Sequence, residues 1–296
     1  MNTRGSKTRP TRRTPVVWAL IVPVVALLGA CEDGDPVNVI PIDEDDRYLE
    51  EIFQASEQRN IPYGLALNED GVEEVLHLDL YQPIDDDEPL RPAVLWLHGG
   101  SFQQGHNGEM AEFARRSANR GYVSATADYR LRENAVFDYT DPNDPLAPEV
   151  MRDAQHDAQA AVRWLRANAA ELRIDPNLIF VAGFSAGATT ALRVAAWPDD
   201  PGASGNAEHS SSVAAAVAIS ASVDGGVLAA ATGPTLLIHG DADTKVPLTQ
   251  VQEACASVAQ CQLVPIAGAA HNLIAPAKES IISETATFLH ARVTGT

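Results

Sequence analysis

The stretch that most restricts what this chain can become is Leu178-Ile-Phe-Val-Ala-Gly-Phe-Ser-Ala-Gly187. Its apolar run from Leu178 to Ala182 has the character of a strand covered on both faces, because nothing polar alternates with the hydrophobic positions. The run breaks at Gly183, presents Ser185, and resumes after Gly187 in the alanine-rich, helix-favouring segment 188–197. A Gly-x-Ser-x-Gly pattern acquires meaning only when a strand precedes it and a helix follows, and both are expected here. Small residues flank the serine because a turn this sharp strains its backbone and presses strand against helix. The hydroxyl of Ser185 is thereby raised above the sheet edge, and the following amide, that of Ala186, is aimed at the same point.

The remainder alternates strand and helix patterns. Strands are expected at 63–67 and 75–81 around the turn Asn68-Glu-Asp-Gly71, a hairpin signal, and then at 92–98, 122–129, 213–219, 235–239 and 262–265. Helices are expected at 108–120, 149–172, 248–258 and 277–292, with a short one at 48–58. In the second of these, Ala154, Ala158, Ala161, Val162 and Leu165 fall on one face at helical spacing. The fold class is therefore α/β, a doubly wound and mostly parallel sheet led by an antiparallel hairpin. Residues 131–148 form a long irregular segment, which predicts a border of the substrate cleft. Its acids Asp138, Asp141 and Asp144 lack an ordered ligand spacing, so a solvated loop is expected rather than a metal site.

The amino terminus reads differently. Residues 1–14 carry Arg4, Lys7, Arg9, Arg12 and Arg13 with no acid, and an apolar run from Val16 to Ala30 follows. That run is shorter than the roughly 20 residues of a membrane span and is interrupted by Pro23, so residues 1–30 read as an export signal. Its end, Leu28-Gly29-Ala30-Cys31, resembles a bacterial lipoprotein signal, in which cleavage leaves a lipid-bearing cysteine. Residues 31–47 would be an acidic tether and 48–296 the folded domain. This implies an exported protein of the bacterial cell envelope, facing the periplasm or the cell surface, with the lipid at Cys31 as its only membrane contact. The other two cysteines, Cys255 and Cys261, stand six positions apart, which in an exported protein fits a disulfide or a pair of buried thiols. The net charge of −19 argues against a nucleic-acid partner, whose phosphates would be repelled.

A serine hydroxyl needs a base, and the base needs an orienting acid. In a fold of this type these should follow the serine at the ends of later strands, acid before histidine. Asp241-Ala-Asp243 follows the strand 235–239, and Gly268-Ala-Ala-His271 follows the last strand. From the residues alone, either aspartate can serve.

Taken together, His98-Gly-Gly-Ser-Phe102, Asp128-Tyr-Arg130, Asp157 with Ala161 and Trp164, Ile174-Asp-Pro176, Gly183-Phe-Ser-Ala-Gly187, His239-Gly-Asp-Ala-Asp243 with Val246-Pro247, and His271 resemble the α/β-hydrolase superfamily. The resemblance is to its carboxylesterase and feruloyl-esterase-like branch, of the BD-FAE type. It implies Ser185 as nucleophile, His271 as general base and Asp243 as acid, since Asp243 holds the family's position before the Val-Pro pair. It also implies an oxyanion hole from the amides of Gly100, Ser101 and Ala186. Ser101 and Ala188 stand where the family often has glycine. Arg130 and Asp157 are implied to be a buried structural ion pair, and His98 and His239 are expected to be structural, with Trp96 and Trp164 in the core.

Only residues 220–233 separate two of the expected strands, which leaves no room there for a helical lid. An open site, covered at most by the loop 131–148 and the N-terminal segment, suits short-chain, aryl or polymer-attached esters. The implied activity is a serine carboxylic-ester hydrolase that needs neither metal nor organic cofactor. The alternatives are a serine peptidase or amidase of the same fold, or a surface-tethered binding protein without catalysis.

Overall fold

In the computed structural model, residues 46–200 and 202–296 are described. The expected export segment 1–30, Cys31 and the expected tether up to residue 45 lie outside them. Eight strands form one sheet: β1 (Ala55–Leu67), β2 (Glu73–Pro83), β3 (Arg91–Leu97), β4 (Val123–Ala127), β5 (Ile174–Phe184), β6 (Ala215–Ile219), β7 (Thr235–Gly240) and β8 (Cys261–Ile266). Their spatial order is β1-β2-β4-β3-β5-β6-β7-β8. β1 and β2 pair antiparallel, as do β2 and β4, and every later pairing is parallel. The doubly wound sheet with an antiparallel start that the sequence predicts is the one observed.

The central strands lack polar alternation because both faces are covered. Leu95 faces one apolar cluster with Ala158, Ala161 and Val181, whereas its neighbour Trp96 faces the other with Phe113, Phe180 and Ile281. The first face is built on α2 (Ala147–Ala167), whose predicted inward residues Ala154, Ala158, Ala161, Val162 and Leu165 are all fully buried. A short α3 (Ala169–Leu172) follows α2. The opposite face carries α1 (Ala111–Ala118) and the final helix α7 (Lys278–Thr294), while α4 (Ala186–Ala196) sits behind the serine turn. α5 (Gly225–Ala230) and α6 (Leu248–Ala256) close a third cluster around Leu192, Ala218 and Leu237. Trp96 is buried as expected and donates its indole N–H to Ser117 Oγ at 3.2 Å, and Trp164 packs half-buried against the first cluster.

Two local expectations are corrected. No helix forms over 48–58. The chain turns at 47–49 and then enters β1 at Ala55, eight residues earlier than the pattern suggested. Pairing with β2 from Ala55↔Pro83 onward supplies backbone partners that a short isolated helix lacks. α5 is the second. Its Asp224 caps the helix by accepting from the N–H groups of Gly226 and Val227 at 2.7 and 3.3 Å, a signal hidden by the paired glycines. Arg47, placed in the tether by sequence, docks on the body through Asp86 at 2.9 Å. Cys255 and Cys261 are joined as a disulfide, with Cα atoms 5.4 Å apart, linking the end of α6 to the start of β8.

Candidate active site

The turn after β5 follows from steric necessity. Ser185 has φ 53° and ψ −115°, a strained backbone for a side-chain-bearing residue. A Cβ on Gly183 would lie 2.4 Å from the carbonyl carbon of Gly187, and one on Gly187 would lie 2.3 Å from the carbonyl oxygen of His98. Only glycine fits at either place, which is why strand and helix can close around the serine. The Ser185 N–H is anchored to Ile219 O at 2.8 Å, and Ala186 opens α4 directly behind it.

Three residues distant in sequence meet at this turn. Ser185 Oγ lies 2.9 Å from His271 Nε2, and His271 Nδ1 lies 2.7 Å from Asp243 Oδ2. Since a carboxylate only accepts, Nδ1 carries a proton, which leaves Nε2 as the ring nitrogen facing Ser185. The other oxygen of Asp243 accepts from the N–H groups of Lys245 and Val246 at 2.8 and 3.0 Å. Burial favours the protonated carboxyl, but these amides and the His271 ring outweigh it and hold Asp243 below the ordinary carboxylate range. Asp241, the other aspartate left open by the residues alone, accepts from the Gly268 N–H at 2.7 Å and is exposed. The structure thus brings Ser185, Asp243 and His271 together and leaves Asp241 outside.

The loop after β3 faces the same turn. Gly100, Ser101 and Phe102 all have positive φ, of 111°, 57° and 61°. Gly100 O accepts from the N–H groups of Gln103 and Gln104, folding the loop back on itself. Among the described residues, no turn or loop hydrogen bond to a carbonyl uses the N–H of Gly100, Ser101 or Ala186. His98 braces this loop, as expected, by donating Nδ1–H to Gly99 O at 2.7 Å and stacking on Tyr129 at 4.3 Å. Burial pushes its pKa down to about 4, so the ring is neutral. Arg130 and Asp157 form the expected buried pair, with Nε to Oδ2 at 2.8 Å and Nη2 to Oδ1 at 2.8 Å, and Ser204 adds a third contact to Asp157 at 2.6 Å. The carboxylates of Asp138, Asp141 and Asp144 are spent on turns within their own loop, accepting from Thr140, Asn143 and Leu146 amides at 2.9 Å. No cluster of three or more metal-ligating side chains occurs among the described residues. Of the other histidines, His156 lies near Asp200 at 3.2 Å and His209 near Glu208 at 3.7 Å.

Four contacts have no signal in the sequence. Tyr139, from the loop 131–146, places its hydroxyl 3.1 Å from Ser185 Oγ. Ser220 Oγ donates to the His271 carbonyl at 2.8 Å. Lys245 reaches Ser101 Oγ at 3.0 Å. His239 Nε2 lies 2.8 Å from Val246 O and 3.2 Å from Asp243 Oδ2. Both neighbours are acceptors, so His239 is protonated at Nε2 and donates into the acid's surroundings. Its pKa is lowered by burial, which keeps it uncharged.

An eight-stranded, mostly parallel sheet with a strand–serine–helix turn, an acid after β7 and a histidine after β8 is the α/β-hydrolase fold. Within that class the chain belongs to the BD-FAE family, whose model matches residues 78–227, just over half of its length. A carboxylic ester hydrolase from Bombus ignitus is 31% identical over 121 residues, covering 40% of this chain and 20% of that protein. The chain spans about a fifth of the length of such curated relatives. The thermophilic esterase Est2 of Thermogutta terrifontis, solved with propionate bound, is 25% identical with a TM-score of 0.65, covering 82% of this chain and 96% of that one. The same esterase phosphorylated by paraoxon is 26% identical over the same shares, with a TM-score of 0.63.

Proposed function

We propose that this protein is a serine carboxylic-ester hydrolase working through an acyl-enzyme. The observation that carries the reading is the continuous hydrogen-bonded chain Ser185–His271–Asp243 at a strained strand-to-helix turn. It is supported by membership of the BD-FAE family and by likeness to esterases. Ser185 Oγ attacks the ester carbonyl while His271 Nε2 takes its proton, and Asp243 stabilises the imidazolium that forms. Negative charge on the former carbonyl oxygen is met by the amides of Gly100, Ser101 and Ala186, which make no turn or loop hydrogen bond to a carbonyl among the described residues. His271 then gives its proton to the departing alcohol. A water molecule, deprotonated in turn by His271, releases the acid and restores Ser185.

Short-chain, aryl and polymer-attached esters are the substrates this reading favours. The 220–233 connection holds only the six-residue α5, and no lid domain stands over the serine there. A p-nitrophenyl acetate-to-octanoate series tests both claims: turnover that falls with chain length and vanishes in Ser185→Ala is expected. Turnover equal in wild type and Ser185→Ala would overturn the proposal. Export and a lipid at Cys31 belong to the same reading and rest on sequence alone. Full-length protein made in a bacterium should partition into detergent, and Cys31→Ala should lose that partitioning.

A further inference from the structure

The hydroxyl of Ser185 has two partners, and only one of them belongs to the triad. Tyr139 Oη stands 3.1 Å from Oγ, buried, on a loop that joins β4 to α2. The direction of this second hydrogen bond follows from the first. His271 Nδ1 donates to Asp243, so in the ring state that can take the serine proton Nε2 accepts, and the single proton of Ser185 goes to His271. Oγ therefore has only lone pairs left for Tyr139, and the phenol is the donor. A buried O–H donor is thus aimed at the atom that attacks.

The ring that carries this donor is fixed to the same loop that supplies the expected oxyanion amides. Phe102, next to Ser101, packs edge-on against it with centroids 5.1 Å apart. Lys245 Nζ lies 5.0 Å from the Tyr139 ring centroid while also donating to Ser101 Oγ at 3.0 Å. Tyr139 is therefore held against the side of Ser185 where the Gly100–Ser101 loop lies, and its position is tied to Ser101 through one ammonium group.

We infer that Tyr139 is a catalytic residue, a side-chain oxyanion donor that joins the amides of Gly100, Ser101 and Ala186. This rests on the proposed ester-hydrolase function. As Oγ bonds to the carbonyl carbon, the Ser185 proton passes to His271 Nε2 and the carbonyl π electrons move onto oxygen. Oγ becomes an ester oxygen and a poor acceptor, while the new oxyanion beside it is a strong one. The Tyr139 O–H shifts its hydrogen bond from Oγ to that oxyanion without transferring its proton. When the carbonyl re-forms, the alcohol leaves with the proton of His271, and Tyr139 returns to Oγ only when deacylation restores the serine hydroxyl. A donor engaged more strongly in the transition state than in the ground state raises kcat and leaves substrate binding unchanged.

Tyr139→Phe keeps the ring between Phe102 and Lys245 and removes only the donor. On p-nitrophenyl butyrate, kcat should fall about 100-fold with KM changed by less than about twofold. A butyl trifluoromethyl ketone, which forms an anionic adduct with the serine, should bind Tyr139→Phe weaker by about the same factor. An unchanged thermal midpoint separates this from loss of folding. Wild-type turnover with Tyr139→Phe equal to or faster than it, or with ketone inhibition unchanged, would overturn the inference and make Tyr139 a plug over the serine. Absence of turnover in the wild type itself would instead remove the ester-hydrolase reading on which the inference stands.

Discussion

The turn after β5 and the loop between β4 and α2 both end at the Ser185 hydroxyl, yet different physics holds each of them. The turn is fixed by exclusion: backbone atoms stand where any Cβ on Gly183 or Gly187 would go, and the strain at Ser185 is locked by strands buried on both sides. The loop 131–146 is held by short polar devices instead. Asp138, Asp141 and Asp144 each cap a turn, and Arg132 pairs with Glu149 and Asp153 at its base. Exclusion leaves a mark in sequence, because only one residue type is tolerated. Polar turns do not, because many sequences make them. The serine turn and the loop that meets it are thus written with unequal clarity.

That contrast orders the expected effects of mutation. His271→Ala removes the proposed base and should lower kcat by about 10⁴-fold or more, read on p-nitrophenyl butyrate. Asp243→Asn should lower kcat by about 10⁴-fold, whereas Asp241→Asn, whose carboxylate only tethers Gly268, should stay within about threefold. Equal losses in the two would break the assignment of the acid. Gly187→Ala should cost about 1–3 kcal/mol of stability, read by urea unfolding, because its Cβ meets the Leu97 and His98 carbonyl oxygens. Asp144→Ala, which unties a turn of the polar loop, should lower the urea midpoint by less than Gly187→Ala does.

The bracing histidine sharpens the comparison through pH. The folded pKa of His98 is about 4, below its ordinary value of 6.5, so the unfolded chain binds the proton more readily. Stability from this site is complete above about pH 6.5 and is lost as pH falls from there toward 4. At pH 5 the loss should reach about 2 kcal/mol relative to pH 7. His98→Asn should unfold with a smaller acid dependence if the ring is the cause.

How much of this was legible follows the same division. Ser185 and His271 can be placed from sequence because each follows an expected strand. Asp243 is preferred over Asp241 only through the resemblance and its place before Val246-Pro247, and the spacing of Cys255 and Cys261 leaves a disulfide and two buried thiols both open. The helix expected over 48–58 failed because strand pairing with β2 overrode a weak local pattern. Tyr139, Lys245 and Ser220 gave no sign, since their contacts exist only after residues 46, 144 and 51 positions apart have closed on one another. His239 looked like one more strand-end residue until the fold set it 3.2 Å from Asp243.

The central claim is that Ser185 becomes covalently acylated, and the direct measurement is peptide mapping of enzyme quenched in acid during turnover of p-nitrophenyl butyrate. The account predicts a butyryl group on Ser185 in the wild type, more of it when His271 is replaced under conditions that still permit slow acylation, and none in Ser185→Ala. Steady turnover with Ser185 never modified, or with the butyryl group on another residue, would contradict it.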